Sequence, residues 1–358
     1  MIPSWGSGII YKLLISVLIT KLSGGFGNVG IGREVKKTDP HFLFKDCHLC
    51  PRHCGVNRLN QRKVAPSGFC GESSLLRVAH VGPHFGEEPS LTGKNGSGTV
   101  FFSGCALKCS ICQNYQISRD GLGQSMSVHD LYFMLEEMIQ IDKVHNINLV
   151  TPDHFFPHVF RLVALLRRNG HDLPVIYNLS GYQSTALLAW AEDSADIYLP
   201  DFKYANPALS KHLSKCKDYP SVALEAIAEM VRQKGFLDAS VKGTSLAKKG
   251  VLVRHMILPG EVQNSIDALT SLILEFGSEL PISLMSQYYP IVPQAGRDLN
   301  RPITQEEFDR VYAHVLDLGL ENLYVQFLDK ESSIQGLPPS FLPDFRQENP
   351  FSAEYPLD

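Results

Sequence analysis

A basic excess is missing from this 358-residue chain: 33 lysines and arginines stand against 37 aspartates and glutamates, for a net charge of −4. A duplex nucleic-acid binder uses such an excess to neutralise phosphates, so no nucleic-acid partner is expected. An apolar run of the roughly 20 residues that a helix needs to span a bilayer is also lacking. Ile9 to Ile19 has eleven residues, interrupted by Lys12 and Ser16. No basic residue precedes it and no clear small-residue cleavage site follows, unlike a secretory signal. No acidic residue occurs before Glu34, yet Lys12, Lys21 and Arg33 are few for an organellar presequence. The expectation is a cytoplasmic protein without a stable membrane span, organellar targeting being the alternative. Internal repeats and low-complexity tracts are absent. So is a phosphate loop: no Gly-Lys-Ser or Gly-Lys-Thr follows Gly93, Gly96 and Gly98, and a strand rather than a helix N-terminus comes next.

Cysteine is nearly absent outside one stretch. Seven of the eight cysteines are Cys47, Cys50, Cys54, Cys70, Cys105, Cys109 and Cys112, and only Cys216 lies elsewhere. A secreted disulfide scaffold is short and cysteine-dense throughout, whereas bunched spacings of two and three suit metal ligation in a reducing compartment. With 44% hydrophobic and 20% charged residues, the chain has material for a sizeable core. Residues 1–39 read as an amphipathic lead-in with a Gly-rich link from Gly24 to Gly32. Residues 40–95 show no sustained period and read as a segment ordered by metal. Residues 96–330 form the core and 331–358 a C-terminal tail.

From Thr99 onward, short apolar runs alternate with amphipathic helices. Strands are expected at Thr99–Phe102, Asn146–Val150, Pro174–Tyr177, Ile197–Pro200, Val251–Leu258, Ile282–Met285 and Leu323–Phe327. A Ser127/Asp130 capping pair opens a helix with Leu131, Met134, Leu135 and Met138 on one face. A Thr304…Glu307 capping box opens the last helix, stopped by Gly319, and Gly277 stops the helix before it. Such alternation implies an α/β fold: a parallel sheet with right-handed crossovers, closing into a partial (β/α)6-type TIM-like barrel. In these barrels the chemistry sits at the C-terminal strand ends, and polar groups stand at each exit here. Those exits hold Cys105–Cys112, Thr151 and Asp153, Asn178 and Ser180, Asp201 and Lys203, Arg254, and Ser286 with Gln287.

Cys105-x3-Cys109-x2-Cys112 follows the first core strand. Three thiolates can hold three irons of a cubane and leave the fourth without a protein ligand. Structural zinc wants four ligands. Cys47, Cys50, Cys54 and Cys70 make a second, four-thiolate set that reads either as a structural zinc site or as another [4Fe–4S] cluster. Cys216, alone in an expected polar helix at Ser210–Asp218, reads as a free or partly buried thiol. His80, His84, His154 and His158 read as surface or core hydrogen-bonders, and no catalytic acid or base is singled out. His84, Glu87 and Glu88 precede the cluster strand and are candidates for the substrate mouth. From another functional class, a zinc-ordered scaffold without catalysis remains as the alternative.

The chain resembles the radical S-adenosylmethionine (SAM) superfamily, and within it the pyruvate formate-lyase activating enzyme-like iron–sulfur proteins. The residues behind this are Cys47-His-Leu-Cys50-Pro-Arg-His-Cys54, Gly68-Phe-Cys70-Gly71, Gly86-Glu-Glu-Pro89, Gly96–Gly104, Cys112–Ser118, Asp196–Lys203 and Arg254–Gly260. The match runs from about residue 40 to Phe351. The resemblance implies SAM chelated to the open iron and cleaved reductively to a hydrogen-abstracting 5′-deoxyadenosyl radical. It implies an electron donor such as flavodoxin or ferredoxin, and as substrate a glycyl radical enzyme, another peptide or a metabolite. Thr151-Pro152-Asp153 stands where many members carry a Gly-Gly-Glu segment for the SAM amino group, without the Gly-Gly pair. Asn178 and Ser180 fall to the ribose or methionyl part, and Arg254 to the SAM carboxylate as a bidentate fork. Asp201 and Lys203 face the same cavity on the substrate side, and Ile111 offers apolar contact where the adenine lies.

Overall fold

In a computed structural model of the chain, residues 40–59, 68–239, 245–294, 298–328, 339 and 341–351 are described. The expected lead-in and Gly-rich link of residues 1–39 lie outside the described residues. After a 3-10 turn at Pro40–Phe44 come β1 (Arg77–His84), α1 (Pro89–Thr92), β2 (Ser97–Phe102), α2 (Tyr115–Ser118) and β3 (Gln124–Ser125). Then strands and helices alternate: α3 (Val128–Ile141), β4 (Ile147–Val150), α4 (Phe156–Arg168), β5 (Val175–Leu179), α5 (Thr185–Ala191) and β6 (Ile197–Pro200). The chain continues through α6 (Pro207–Ser214), α7 (Tyr219–Lys234), β7 (Gly250–Val251), β8 (Val253–Met256), α8 (Val262–Phe276), β9 (Ile282–Met285), α9 (Gln305–Asp317) and β10 (Leu323–Val325).

The fold is α/β with a mostly parallel sheet. Seven strands lie in the order β3-β1-β2-β4-β5-β6-β7 and three in the order β10-β9-β8. Among the described residues, only the β1 pairings, with β2 and β3, are antiparallel. The expected strand Val251–Leu258 is the seam between the two sheets rather than one uniform ladder. Successive backbone amides turn to opposite neighbours, Leu252 N–H donating to Tyr198 O at 3.1 Å and Val253 N–H to Pro281 O at 3.0 Å. Among the described residues no pairing joins β10 to β3, so the barrel stays open, as a partial TIM-like barrel does.

Both capping boxes form. Ser127 Oγ accepts from Asp130 N–H at 3.1 Å while the Asp130 carboxylate accepts from Ser127 N–H at 3.0 Å, and Thr304 and Glu307 repeat the exchange. Leu131, Leu135 and Met138 of α3 are buried as expected, but Met134 is 42% exposed, one step round the helix from the covered stripe. The strand β1 is an addition to the sequence reading, in which residues 40–95 had no period. Pro83 within it and a register shift between Val78 and His80 break the alternation that marks a strand, yet it is long enough to seat beside the fully buried β2. Among the described residues no helix is long and apolar enough to cross a membrane.

Candidate active site

The parallel strands end at one cavity of about 560 Å³. Cys105, Cys109 and Cys112 line it, together with Thr151, Asn178, Ser180, Asp201 and Arg254. Backbone bonds carry the ladder past the strand ends: Thr151 N–H donates to Asn178 O at 2.9 Å, Asp201 N–H to Leu179 O at 2.9 Å and Phe202 N–H to Arg254 O at 2.8 Å. Asp153, placed with this set by the sequence, does not line the cavity. Thr151 takes a left-handed φ of +56° and Asp153 opens a 3-10 turn that leaves its side chain wholly buried. Burial pushes its carboxyl up to about 6.

Tyr219, completely buried in α7, ties two neighbouring exits together, those of β5 and β6, and nothing in its sequence context marked it. Its hydroxyl lies 2.9 Å from both Ser180 O and Asp201 O and accepts from Lys203 N–H at 3.0 Å. Gly181 makes room for this knot: at φ +81°, a Cβ there would lie 2.1 Å from Asp201 O and 2.7 Å from the Tyr219 hydroxyl. Tyr219→Phe strands a buried N–H and two carbonyls, and is expected to cost about 1–3 kcal/mol in urea denaturation. An unchanged midpoint would show that the knot is dispensable.

The triplet loop is held from several sides. Gly104, at φ +80°, passes so close to the N-terminal cysteine segment that a Cβ would meet Glu72 Cγ at 2.5 Å and Cys70 O at 3.0 Å. Hydrogen bonds reach all three sulfurs: Cys105 accepts from Leu107 N–H at 3.3 Å, Cys109 from Ser214 Oγ at 3.0 Å and Cys112 from Ser118 Oγ at 3.3 Å. Burial, then the neighbouring thiols, push Cys105 and Cys112 above the usual thiol value. They are therefore protonated at neutral pH until a cation replaces the proton, and loading a metal releases protons.

Charge on the cavity wall is paired within the chain. The fork expected of Arg254 exists, but its partners are Glu87 and Glu88 rather than a ligand. Nε donates to Glu88 at 2.8 Å and Nη2 to Glu88 at 2.5 Å and to Glu87. The arginine side chain is 12% exposed and the carboxylates 5% and 7%. Asn148 Nδ2 donates to Glu87 at 2.8 Å. Glu87 and Glu88 thus line the cavity. Lys203 pairs with Asp201. Against the lowering effect of burial, that carboxylate and the Cys109 and Cys112 thiols hold its ammonium above the usual value.

The second cysteine set lies away from the cavity. Among the described residues, no three His, Cys, Asp or Glu side chains gather as a single metal ion requires. Cys47, Cys50 and Cys70 are buried, and burial pushes Cys50 up to about 12. Cys54 accepts from Phe69 N–H at 3.3 Å. Cys216 follows α6 instead of lying inside it and is buried, with its thiol pushed up to about 12 by that burial.

Three of the four singled-out histidines do not reach the cavity. His154 donates to Ser103 O and His158 to Ser74 O, each at 2.6 Å, and burial lowers them to about 3 and about 4. His80 is lowered to about 4 in the same way. His84 lines the cavity. The tail also contributes, which sequence did not suggest: Phe351 and Phe345 pack on Phe101, Ile117 and Val150, and Phe341, Pro343 and Phe351 face the cavity.

No family model matches the chain. An uncharacterized protein of Methanocaldococcus jannaschii is 28% identical over 293 residues, 79% of this chain and 78% of its own length. Among solved structures, Streptococcus suis SuiB bound to S-adenosylmethionine matches 65% of this chain and 51% of its own, with 11% identity and a TM-score of 0.44. Methylornithine synthase PylB matches 65% of this chain and 71% of its own, with 14% identity and a TM-score of 0.41. HydG, a maturase of the [FeFe]-hydrogenase, matches 63% and 50%, with 12% identity and a TM-score of 0.44. The matched part thus spans about half of SuiB and of HydG. At such values the chemistry of the site has to come from its own side chains.

Proposed function

We propose that the chain is a radical SAM enzyme, with Cys105, Cys109 and Cys112 holding a [4Fe–4S] cluster whose fourth iron is left to SAM. The observation that supports this best is that three thiols open together on one cavity whose other wall consists of polar strand exits. The donor set suits the group. Three thiolates serve three irons of a cubane, and hydrogen bonds already reach all three sulfurs. When bound, cluster and SAM supply a one-electron cleavage that yields methionine and a 5′-deoxyadenosyl radical, which takes hydrogen from a substrate carbon.

The chain's own residues bind, orient and exclude water. Asn178 and Ser180 offer an amide and a hydroxyl to the ribose or methionyl end. Ile111, Leu107 and Met256 give the cavity apolar surface. Arg254, braced by Glu87 and Glu88, and Asp201, braced by Lys203, present charged edges that cost little reorganisation when a polar ligand arrives. The substrate is a peptide or metabolite with an abstractable hydrogen. Activation of a glycyl radical enzyme is the peptide case, the hydrogen coming from a glycine of the partner protein. The electron comes from a flavodoxin- or ferredoxin-type donor.

The test uses full-length protein purified and reconstituted without oxygen. Iron, sulfide and zinc are counted, and 5′-deoxyadenosine is assayed from SAM after dithionite reduction. About four irons per cluster with 5′-deoxyadenosine is the expected result. About eight irons would assign Cys47, Cys50, Cys54 and Cys70 a second cluster, and about four with one zinc a structural ion. Zinc alone without product would overturn the proposal and leave a zinc-ordered scaffold.

A further inference from the structure

Ser214 ends α6 and is completely buried, with its Oγ 3.0 Å from Cys109 Sγ. A ligating thiolate carries no proton, so in the loaded site the serine must donate. Its hydroxyl has a single hydrogen. Tyr204 Oη, also buried, lies 2.9 Å from the same Oγ and within hydrogen-bond reach of Cys109; once the serine donates to sulfur, the bond between the two hydroxyls runs from tyrosine to serine. The result is a two-link chain, Tyr204 to Ser214 to Cys109, in which each hydrogen bond polarises the next.

The backbone that carries Ser214 is fixed by one guanidinium from the other cysteine segment. Arg52 Nη2 donates to Ser214 O at 2.6 Å, Nη1 to Lys215 O at 2.7 Å and Nε to Ala106 O at 2.9 Å. Its guanidinium carbon lies over the Phe69 ring, 3.9 Å from the ring centre. Ser110 N–H donates to Leu213 O at 2.8 Å, closing the same gap from the triplet side. Arg52 stands between Cys50 and Cys54, so the N-terminal cysteine loop sets the distance between α6 and the triplet loop.

We infer that Ser214, oriented by Tyr204 and Arg52, is a positioning residue that raises the reduction potential of a cluster held by Cys109. The inference rests on the cluster reading above. Reduction adds negative charge that spreads onto the ligand sulfurs, so a donor at sulfur stabilises the reduced state more than the oxidised one.

The experiment is a redox titration followed by electron paramagnetic resonance on anaerobically reconstituted full-length protein, with iron counted in parallel. The signal followed is the one that changes when SAM is added. Ser214→Ala is expected to lower the one-electron reduction equilibrium constant about tenfold, which is 59 mV. Tyr204→Phe, which leaves the serine in place, is expected to move it the same way by less. Ser110→Ala, whose hydroxyl meets Gln294 rather than a sulfur, is expected to leave it unmoved. An unchanged midpoint in Ser214→Ala and Tyr204→Phe, with iron retained and SAM still cleaved, overturns this inference and leaves the enzyme reading intact. Should Ser214→Ala fail to take up iron, the Tyr204→Phe titration decides alone. No SAM-responsive cluster in the wild type overturns both.

Discussion

Replacing Cys105, Cys109 and Cys112 together by alanine is expected to abolish 5′-deoxyadenosine formation and remove about four irons per chain. The reasoning is stoichiometric. The three sulfurs line one cavity, and none of the other cysteines lines it. Folding should survive, because each exchange deletes only a sulfur and the hydrogen bonds it accepts. Circular dichroism and the urea midpoint separate lost chemistry from lost structure. SAM cleavage persisting in a folded triple variant would mean that the cluster has been placed on the wrong cysteines.

Arg254→Met is expected to be the most destabilising single change at the cavity, by about 3–5 kcal/mol, because it leaves two buried carboxylates without their cation. The pH dependence gives this a signature. In the wild type, burial raises the Glu88 carboxyl, but the charge and hydrogen bonds of Arg254 more than offset that and hold it below the ordinary value. Stability from a depressed carboxyl is present above the unfolded value of about 4.3 and lost as pH falls toward the folded one. Without Arg254, burial is opposed only by the Ser283 and backbone hydrogen bonds, so the carboxyl rises and its penalty is relieved by acid. The stability gap between variant and wild type should therefore be wider at pH 7 than at pH 5 in urea titrations. Equal gaps would show that the lost term is packing of the arginine stem.

The parts legible in sequence were those encoded over short stretches of chain. Two capping boxes were readable because donor and acceptor are three residues apart. The parallel strands from β2 onward showed as short apolar runs because they are buried on both faces. The strand β1 did not, since Pro83 and a bulge erase the period on which such a reading depends. Met134 was misplaced for a related reason: an apolar side chain at the margin of a helical stripe is covered or bare according to its neighbour, not its own period.

The triplet of cysteines was determined by sequence alone, because thiolates spaced by three and two residues after a strand share one loop whatever the rest of the chain does. The partners of its surroundings were decided only by tertiary structure. Arg254 meets a carboxylate 166 residues away, and Ser214 reaches Cys109 across 105 residues. Such pairs depend on which strand and helix ends are brought side by side, and no local periodicity reports that. Sequence could therefore name the arginine and the chemistry of a fork. Only the packed sheet showed that Glu87 and Glu88 hold it, because a buried guanidinium takes the nearest carboxylates that spare it an unpaired charge.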